Sequence, residues 1–409
     1  TSPGITMSPN SETVSHRYGA SGTPPAANLP AQPLTSIAVL FIVAGLIAFG
    51  LAITHGLAAR AWEAFLVNLL FWLGVAQGGV VVSAAFYLTQ GRWAGRAHYR
   101  LAEAFSGFLI LGFVLFWVLF FGREWIFPWI RHPIPAKATW LNVPFLFARD
   151  GIGLAVMTLL SLWFLSASRG EEARKWAETS ANIVMPPTKV RRLAPAVCIC
   201  FGVVYTLLAF DLVMSLSPLW RSTLFGWWFF AGAFWSAIAT MAFTAVCLRR
   251  VLGKGNIFTE GRIMRDLGLM VFAFSIFWVY TLFAQYIVIW YGDIPMETFF
   301  VVLRVHYMPW AFWSWLTVTL VWAIPFVVLL GIRPKKTPSI LGTVGLLGMI
   351  GIWCEIYVLV VPSLSPRSVP FGWVEILVTA GFLGAFWLCS YPGLKLASAA
   401  AMEPLGESH

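Results

Sequence analysis

The sequence is short of charge. Only 11% of its 409 residues are Asp, Glu, Lys or Arg, while 59% are hydrophobic. A soluble domain carries roughly 25% charged residues, so this chain cannot cover a water-facing surface. Histidine is scarce as well. His16, His55, His98, His132, His306 and His409 fall in tails, loops or at the ends of apolar runs, whereas a haem in a helical bundle takes axial ligands from within the helices. Cys198, Cys200, Cys247, Cys354 and Cys389 are scattered through four apolar runs. Iron–sulfur clusters need grouped thiolates, so these read as small buried apolar residues. Glycine-rich phosphate loops and zinc motifs are missing, which argues against an ATP-driven pump. No redox cofactor or metal is expected on this chain.

What the chain has is apolar length. A bilayer core roughly 30 Å thick takes about 20 apolar residues per helix. Ten runs meet that test: Leu34–Thr54, Phe65–Leu88, Leu101–Phe121, Gly151–Ser166, Ala196–Leu216, Gly226–Leu248, Leu267–Tyr291, Met308–Leu330, Ser339–Val361 and Phe371–Ser390. The fourth is short, and Pro144 to Phe147 offers an extension. A membrane β-barrel would show alternating segments of about ten residues, and these runs are continuous. The expected fold class is all-α integral membrane, with about ten transmembrane helices.

Basic residues suggest an orientation. With the N-terminus in the cytoplasm, inner segments hold 19 of the 27 Lys and Arg, as the positive-inside rule requires. Both termini are then cytoplasmic, the loops around Lys175 and Arg262 lie inside, and the loop around Lys137 lies outside. The net charge of +10 is a topology signal, and no nucleic-acid partner is needed to explain it. Residues 1–33 differ in kind, being rich in Ser, Pro, Ala, Gly and Thr with no leader-peptide pattern. Such a tail is unstructured alone, and an ordered one implies a permanent complex.

Ionisable and polar residues inside or beside the spans are the informative ones, because each is costly there. Asp211 lies in the fifth span with Ser215 one turn on. Glu355 lies in the ninth span and Gln285 in the seventh, both in the outer halves. His132, Asp150, Asp293, Glu297, Arg304 and His306 sit at the outer edge. On the inner side Glu103 is the one comparable acid. Structural readings stand beside functional ones: Asp211 pairing with Arg221 or capping a helix, Glu355 locked in a helix–helix hydrogen bond, Glu297 bridged to Arg304, and Glu103 reaching toward water or taking up protons. Gly74 and Gly78, then Gly342, Gly345, Gly348 and Gly351, read as small faces for close helix packing.

Three stretches carry a resemblance. HPIPAKATWLNVPFLFARD (His132–Asp150), FDLVMSLSPLWRSTLFGWWFFAG (Phe210–Gly232) and QYIVIWYGDIPMET (Gln285–Thr298) are similar to the NrfD/PsrC-like membrane subunits. More narrowly, they resemble those of alternative complex III, a bacterial quinol-oxidising assembly. Of its two such subunits the length and the wording RLAEAF and TWLNVPFLFARD resemble ActF more than ActC. The resemblance implies two four-helix bundles, at 61–225 and 226–365, flanked by a first helix at 34–60 and a last helix with the C-terminal tail at 366–409.

It also implies a quinol or menaquinol pocket near the outer surface, with His132 and Asp150 matching a loop histidine and a helix-start acid of the family. Asp211 matches the fifth-helix acid before the signature WRSTLFG. Implied partners are a second NrfD-like subunit, an iron–sulfur protein, c-type haem subunits and lipids, in the bacterial inner membrane. In ActF-type subunits a proton path through the bundle is the usual proposal. The alternatives are the primary quinol-binding subunit, a secondary transporter with broken helices and midplane charges, and a purely structural anchor.

Overall fold

The computed structural model describes residues 31–91, 95–178 and 185–402; the expectation about the N-terminal tail falls almost wholly outside them. The described chain is helical, with no strand. Ten helices are long and apolar enough to cross a membrane: α1 (Leu34–Thr54), α2 (Ala58–Leu88), α3 (Gly95–Ile126), α4 (Val143–Ser168), α5 (Thr188–Leu216), α6 (Phe225–Leu252), α7 (Gly261–Gly292), α8 (Trp310–Val328), α9 (Pro338–Leu364) and α10 (Trp373–Ala401). A short helix, Pro295–Val305, separates α7 from α8. This is a multi-pass membrane protein.

Helix ends explain where the spans outrun the apolar runs. The fourth begins at Val143 instead of Gly151 because Asn142 caps it, accepting a hydrogen bond from the Phe145 N–H at 2.9 Å, while Pro144 occupies the first turn, where a missing N–H costs nothing. That cap draws Arg149 and Asp150 inside the span. Likewise α2 starts at Ala58 and takes in Arg60 and Glu63.

Helices α2, α6 and α9 form the interior. The most apolar stretch of α2 is wholly buried, and α2 packs on α3, α5, α6, α9 and α10, while α6 packs on α5, α7 and α9. One hydrophobic core runs through both halves of the chain. Close approach depends on glycine as expected. A Cβ at Gly78 would lie 2.7 Å from the Ala233 carbonyl, and one at Gly345 2.8 Å from that of Ala239. Outer helices α1, α4 and α8 instead expose large apolar side chains such as Leu46, Leu159, Trp163 and Val327. Surfaces of this kind suit a hydrocarbon solvent.

Consecutive helices alternate in direction, so polar groups gather at two ends. Ser83 late in α2, Glu103 early in α3 and Ser168 at the end of α4 meet at one end. This basic end also carries the loops rich in Lys and Arg. At the far end Arg60 meets Glu375, and Ser217 meets Ser363.

Candidate functional site: buried carboxyls at the far end

Asp211 sits where α5 loses regularity. Residues Ala209–Val213 form a π-turn and Met214–Leu216 a 3-10 turn. Such wide turns inside helices recur at functional sites. Ser215 does not serve the carboxylate, because its hydroxyl donates back to the Asp211 backbone carbonyl. The fully buried Asp211 carboxylate accepts from Trp140 Nε1 at 2.9 Å and from Arg149 Nε at 2.7 Å. Arg149 Nη2 lies 2.6 Å from the same oxygen as an ion pair off the hydrogen-bond direction, and Nη1 has no acceptor among the described residues. The guanidinium is sandwiched, 3.8 Å from the Trp140 ring centre and 4.4 Å from that of Phe145. Asp211 therefore pairs with Arg149 and not with Arg221.

Asp150 is the next residue of α4 and interacts electrostatically with Asp211. It is 1% exposed, well inside the span and not at its edge; no N–H or hydroxyl group of the described residues reaches its oxygens, and its hydrogen bond is to the Asp211 carboxyl. Two ionised carboxylates side by side in such a place would cost far more than the roughly 2–7 kcal/mol of a buried neutral polar group. The site has to supply the pair with a proton, a cation or a ligand. On the other side of Trp140, Phe210 and Ser215, and not lined by either aspartate, opens a cavity of about 310 Å³ whose walls also include Lys137, Trp220 and Arg221. Lys137 donates to the Pro218 carbonyl, and burial, then the Arg221 charge, draws its ammonium below the usual lysine range.

Other expected residues separate from this pair. His132 is exposed in its loop and makes no side-chain hydrogen bond with the described residues. Gln285, Glu355 and Arg304 line a second cavity between α7, α8, α9 and the short helix. Glu355 accepts from Trp278 Nε1 at 3.0 Å, the helix–helix bond foreseen as its structural reading. Glu297 is half-buried in the first turn of the short helix and lines a solvent-side opening with Gln285 and Arg221.

The Glu297–Arg304 bridge does not form. Arg304 is buried and donates to the Val358 carbonyl at 2.8 Å, the Leu359 and Phe300 carbonyls at 3.0 Å and the Ser363 hydroxyl at 2.8 Å. The reason lies in α9. Pro362 stands inside that helix, and its missing N–H leaves the Val358 carbonyl, four residues back, without its helical donor. Arg304 supplies the donor instead.

Glu103 does not reach water; it is 1% exposed. Its oxygens accept from Ser83 at 3.0 Å, Ser168 at 2.7 Å, Arg100 at 2.7 Å and Arg169 at 3.4 Å. Three helices are tied at one carboxylate.

Sequence reasoning missed Arg149 and Glu63. The latter is 4% exposed with Oε2 unpartnered, near the bidentate Arg60–Glu375 pair. An acid at the second position of the apolar stretch WEAFLVNLLFW was the available signal. Among the described residues no three His, Cys, Asp or Glu side chains converge as a metal site would need. Neither a family model nor a curated protein matches the chain.

Proposed function

We propose that the chain is a cofactor-free membrane subunit of a quinol-oxidising electron-transfer complex, in which Asp150 and Asp211 handle protons beside a quinone-type cavity at the far end. The observation that carries this reading is Asp150, a buried carboxyl that no N–H or hydroxyl donor reaches, bonded to an acid already held by Arg149 and Trp140. When a quinol becomes a quinone, two protons leave its hydroxyls and two electrons pass to a redox partner. A carboxylate within reach of a hydroxyl can take one such proton: the Asp150–Asp211 pair, when it has given up its shared proton, accepts one, and the other passes to water. Asp211, clamped by two donors, holds the charge balance and orients the site.

Support for onward transfer comes from α4. Asp150, Thr158, Ser161 and Ser168 share its buried face, Gln77 of α2 donates to Ser161 at 2.7 Å, and Ser168 reaches Glu103 at the basic end. These polar residues are spaced along the helix between the two clusters, with Leu154, Met157, Phe164 and Leu165 between them on the same face. Under the positive-inside orientation the far end is periplasmic, in a bacterial inner membrane. The structural-anchor reading draws on the same salt bridge, and under it Asp211→Asn is silent while Asp211→Leu disrupts assembly.

Purification from the native membrane in mild detergent, with haem and iron assayed, tests the proposal. It predicts co-purifying haem and iron–sulfur proteins, quinol-dependent reduction of a c-type cytochrome, and a colourless chain once partners are stripped. A chain that purifies without redox partners, or that retains haem by itself, rules it out.

A further inference from the structure

Lys and Arg are scarce at the far end, and several of those present are held. Arg60 meets Glu375, Arg149 meets Asp211, and Arg304 donates to backbone carbonyls. Lys137 and Arg221 are different. Lys137 lies in the loop before α4 and Arg221 in the loop before α6, so both stand outside the spans. They are close enough for the Arg221 charge to act on the Lys137 ammonium, yet no acid pairs with either among the described residues. Like charges set together repel each other, and a counter-charge has to come from elsewhere. Lys137 spends one N–H on the Pro218 carbonyl, which leaves two of its three donors. Arg221 is exposed, and its guanidinium makes no hydrogen bond with the described residues.

The solvent-side opening that Arg221 shares with Glu297 has a volume of about 450 Å³. Phe210, Met214 and Arg221 line both it and the cavity beside Lys137, so the two adjoin as one groove. Charge and apolar wall are layered along it. Lys137, Arg221, Ser222 and Thr223 stand beyond the helix ends, and neither hydroxyl makes a side-chain hydrogen bond with the described residues. Further in, the wall becomes Phe210, Met214, Val288 and Ile289, from the last two turns of α5 and the last turn of α7. Val288 and the nearby Leu219 and Trp227 are exposed, so this wall continues onto the apolar outer surface. A soluble anion has no use for the apolar wall, and a hydrocarbon chain none for the cations. A phospholipid presents both in this order, a phosphate at headgroup depth and a chain beneath it. A dry cavity of about 150 Å³ takes one benzene ring, and about three times that volume accommodates a stretch of acyl chain. We propose that this groove binds an anionic phospholipid of the adjoining leaflet, its phosphate on Arg221 and Lys137 and one acyl chain against Phe210, Met214 and Val288. Glu297 on the same wall offsets one of the two positive charges, and the other favours an anionic headgroup over a zwitterionic one. The proposal is independent of the proton-handling role of Asp150.

The test uses the full chain in mild detergent and a phosphatidylglycerol carrying a photoreactive diazirine on one acyl chain. Adducts mapped by peptide mass spectrometry are expected at residues 210–214 and 288–289, a readout blind to lipid bound at the basic end. Unlabelled dioleoyl phosphatidylglycerol should suppress them at least about tenfold better than dioleoylglycerol, a factor worth about 1.4 kcal/mol. The second lipid has the same chains and no phosphate. Arg221→Gln should reduce the same adducts about tenfold, the weight of one charge-assisted hydrogen bond, and Lys137→Gln should act in the same direction. Size-exclusion profiles confirm that the variants fold. Should Lys137→Gln not fold, Arg221→Gln and the lipid comparison on the unaltered chain decide. Equal suppression by dioleoylglycerol identifies a groove for chains alone, and suppression by inorganic phosphate at the same concentration as phosphatidylglycerol identifies a soluble-anion site. Either result overturns the proposal, as does undiminished labelling of Arg221→Gln or adducts only elsewhere.

Discussion

Two buried acids of this protein have opposite surroundings. Glu103 at the basic end is met by two serines and two arginines, and its position ties α2, α3 and α4 together. Asp150 at the far end is equally buried and is met by nothing but the neighbouring Asp211. Depth in the membrane does not separate structural from chemical acids here; satisfaction does. A carboxylate whose lone pairs are filled is part of the scaffold, and moving a proton onto it would break several bonds at once. One bonded only to a second carboxyl can exchange its shared proton with little rearrangement.

The largest effect expected from breaking this contrast is at Glu103. Glu103→Ala strands the buried Arg100 without its counter-charge, and losing one member of a buried pair costs about 3–5 kcal/mol. Folded yield in detergent should collapse, with a large fall in the unfolding midpoint. A well-folded Ala variant would remove Glu103 from the scaffold.

An intermediate effect is expected at Arg304, where satisfaction is repaired by a residue from another element. Arg304→Met leaves the Val358 carbonyl orphaned, at about 1–3 kcal/mol for a buried group. Pro362→Ala gives that carbonyl an N–H from its own helix. Thermal denaturation of the four-member cycle should show the second change recovering about 1 kcal/mol of the first. Strict additivity would mean that Arg304 does not stand in for the missing donor.

The smallest stability effect belongs to Asp150. Asp150→Asn keeps the shape, and its amide can still donate to Asp211, so the unfolding midpoint should shift by less than about 1 kcal/mol equivalent. A loss as large as that at Glu103 would show that the acid is held by bonds and is part of the frame.

Much of this was readable in the sequence, for reasons that differ by level. All ten spans were, because continuous apolar runs have few other fates. Their ends were not, because Asn142 and Pro144 act through a cap that hydropathy does not register. Asp211, Glu355 and Gln285 stood out as polar residues within apolar helices, and each is buried in a site. Their partners did not stand out. Arg149 is 62 residues from Asp211, and no pattern along one helix announces a contact between two. Arg304 was visible, but its role depended on Pro362, whose consequence for the Val358 carbonyl follows from helix geometry and was legible in principle. Glu103 was misjudged although Arg100, three residues earlier, is the spacing at which helical residues pair.

The central claim is that Asp150 exchanges protons during quinol oxidation. The measurement that bears on it most directly is quinol-linked turnover and proton release by the assembled complex carrying Asp150→Asn, with subunit content verified. The account predicts normal assembly with turnover or proton release reduced about 100-fold or more, within the ~100-fold to 10,000-fold range typical of lost acid–base catalysis. Unchanged turnover and unchanged proton release in a fully assembled Asn variant would contradict it.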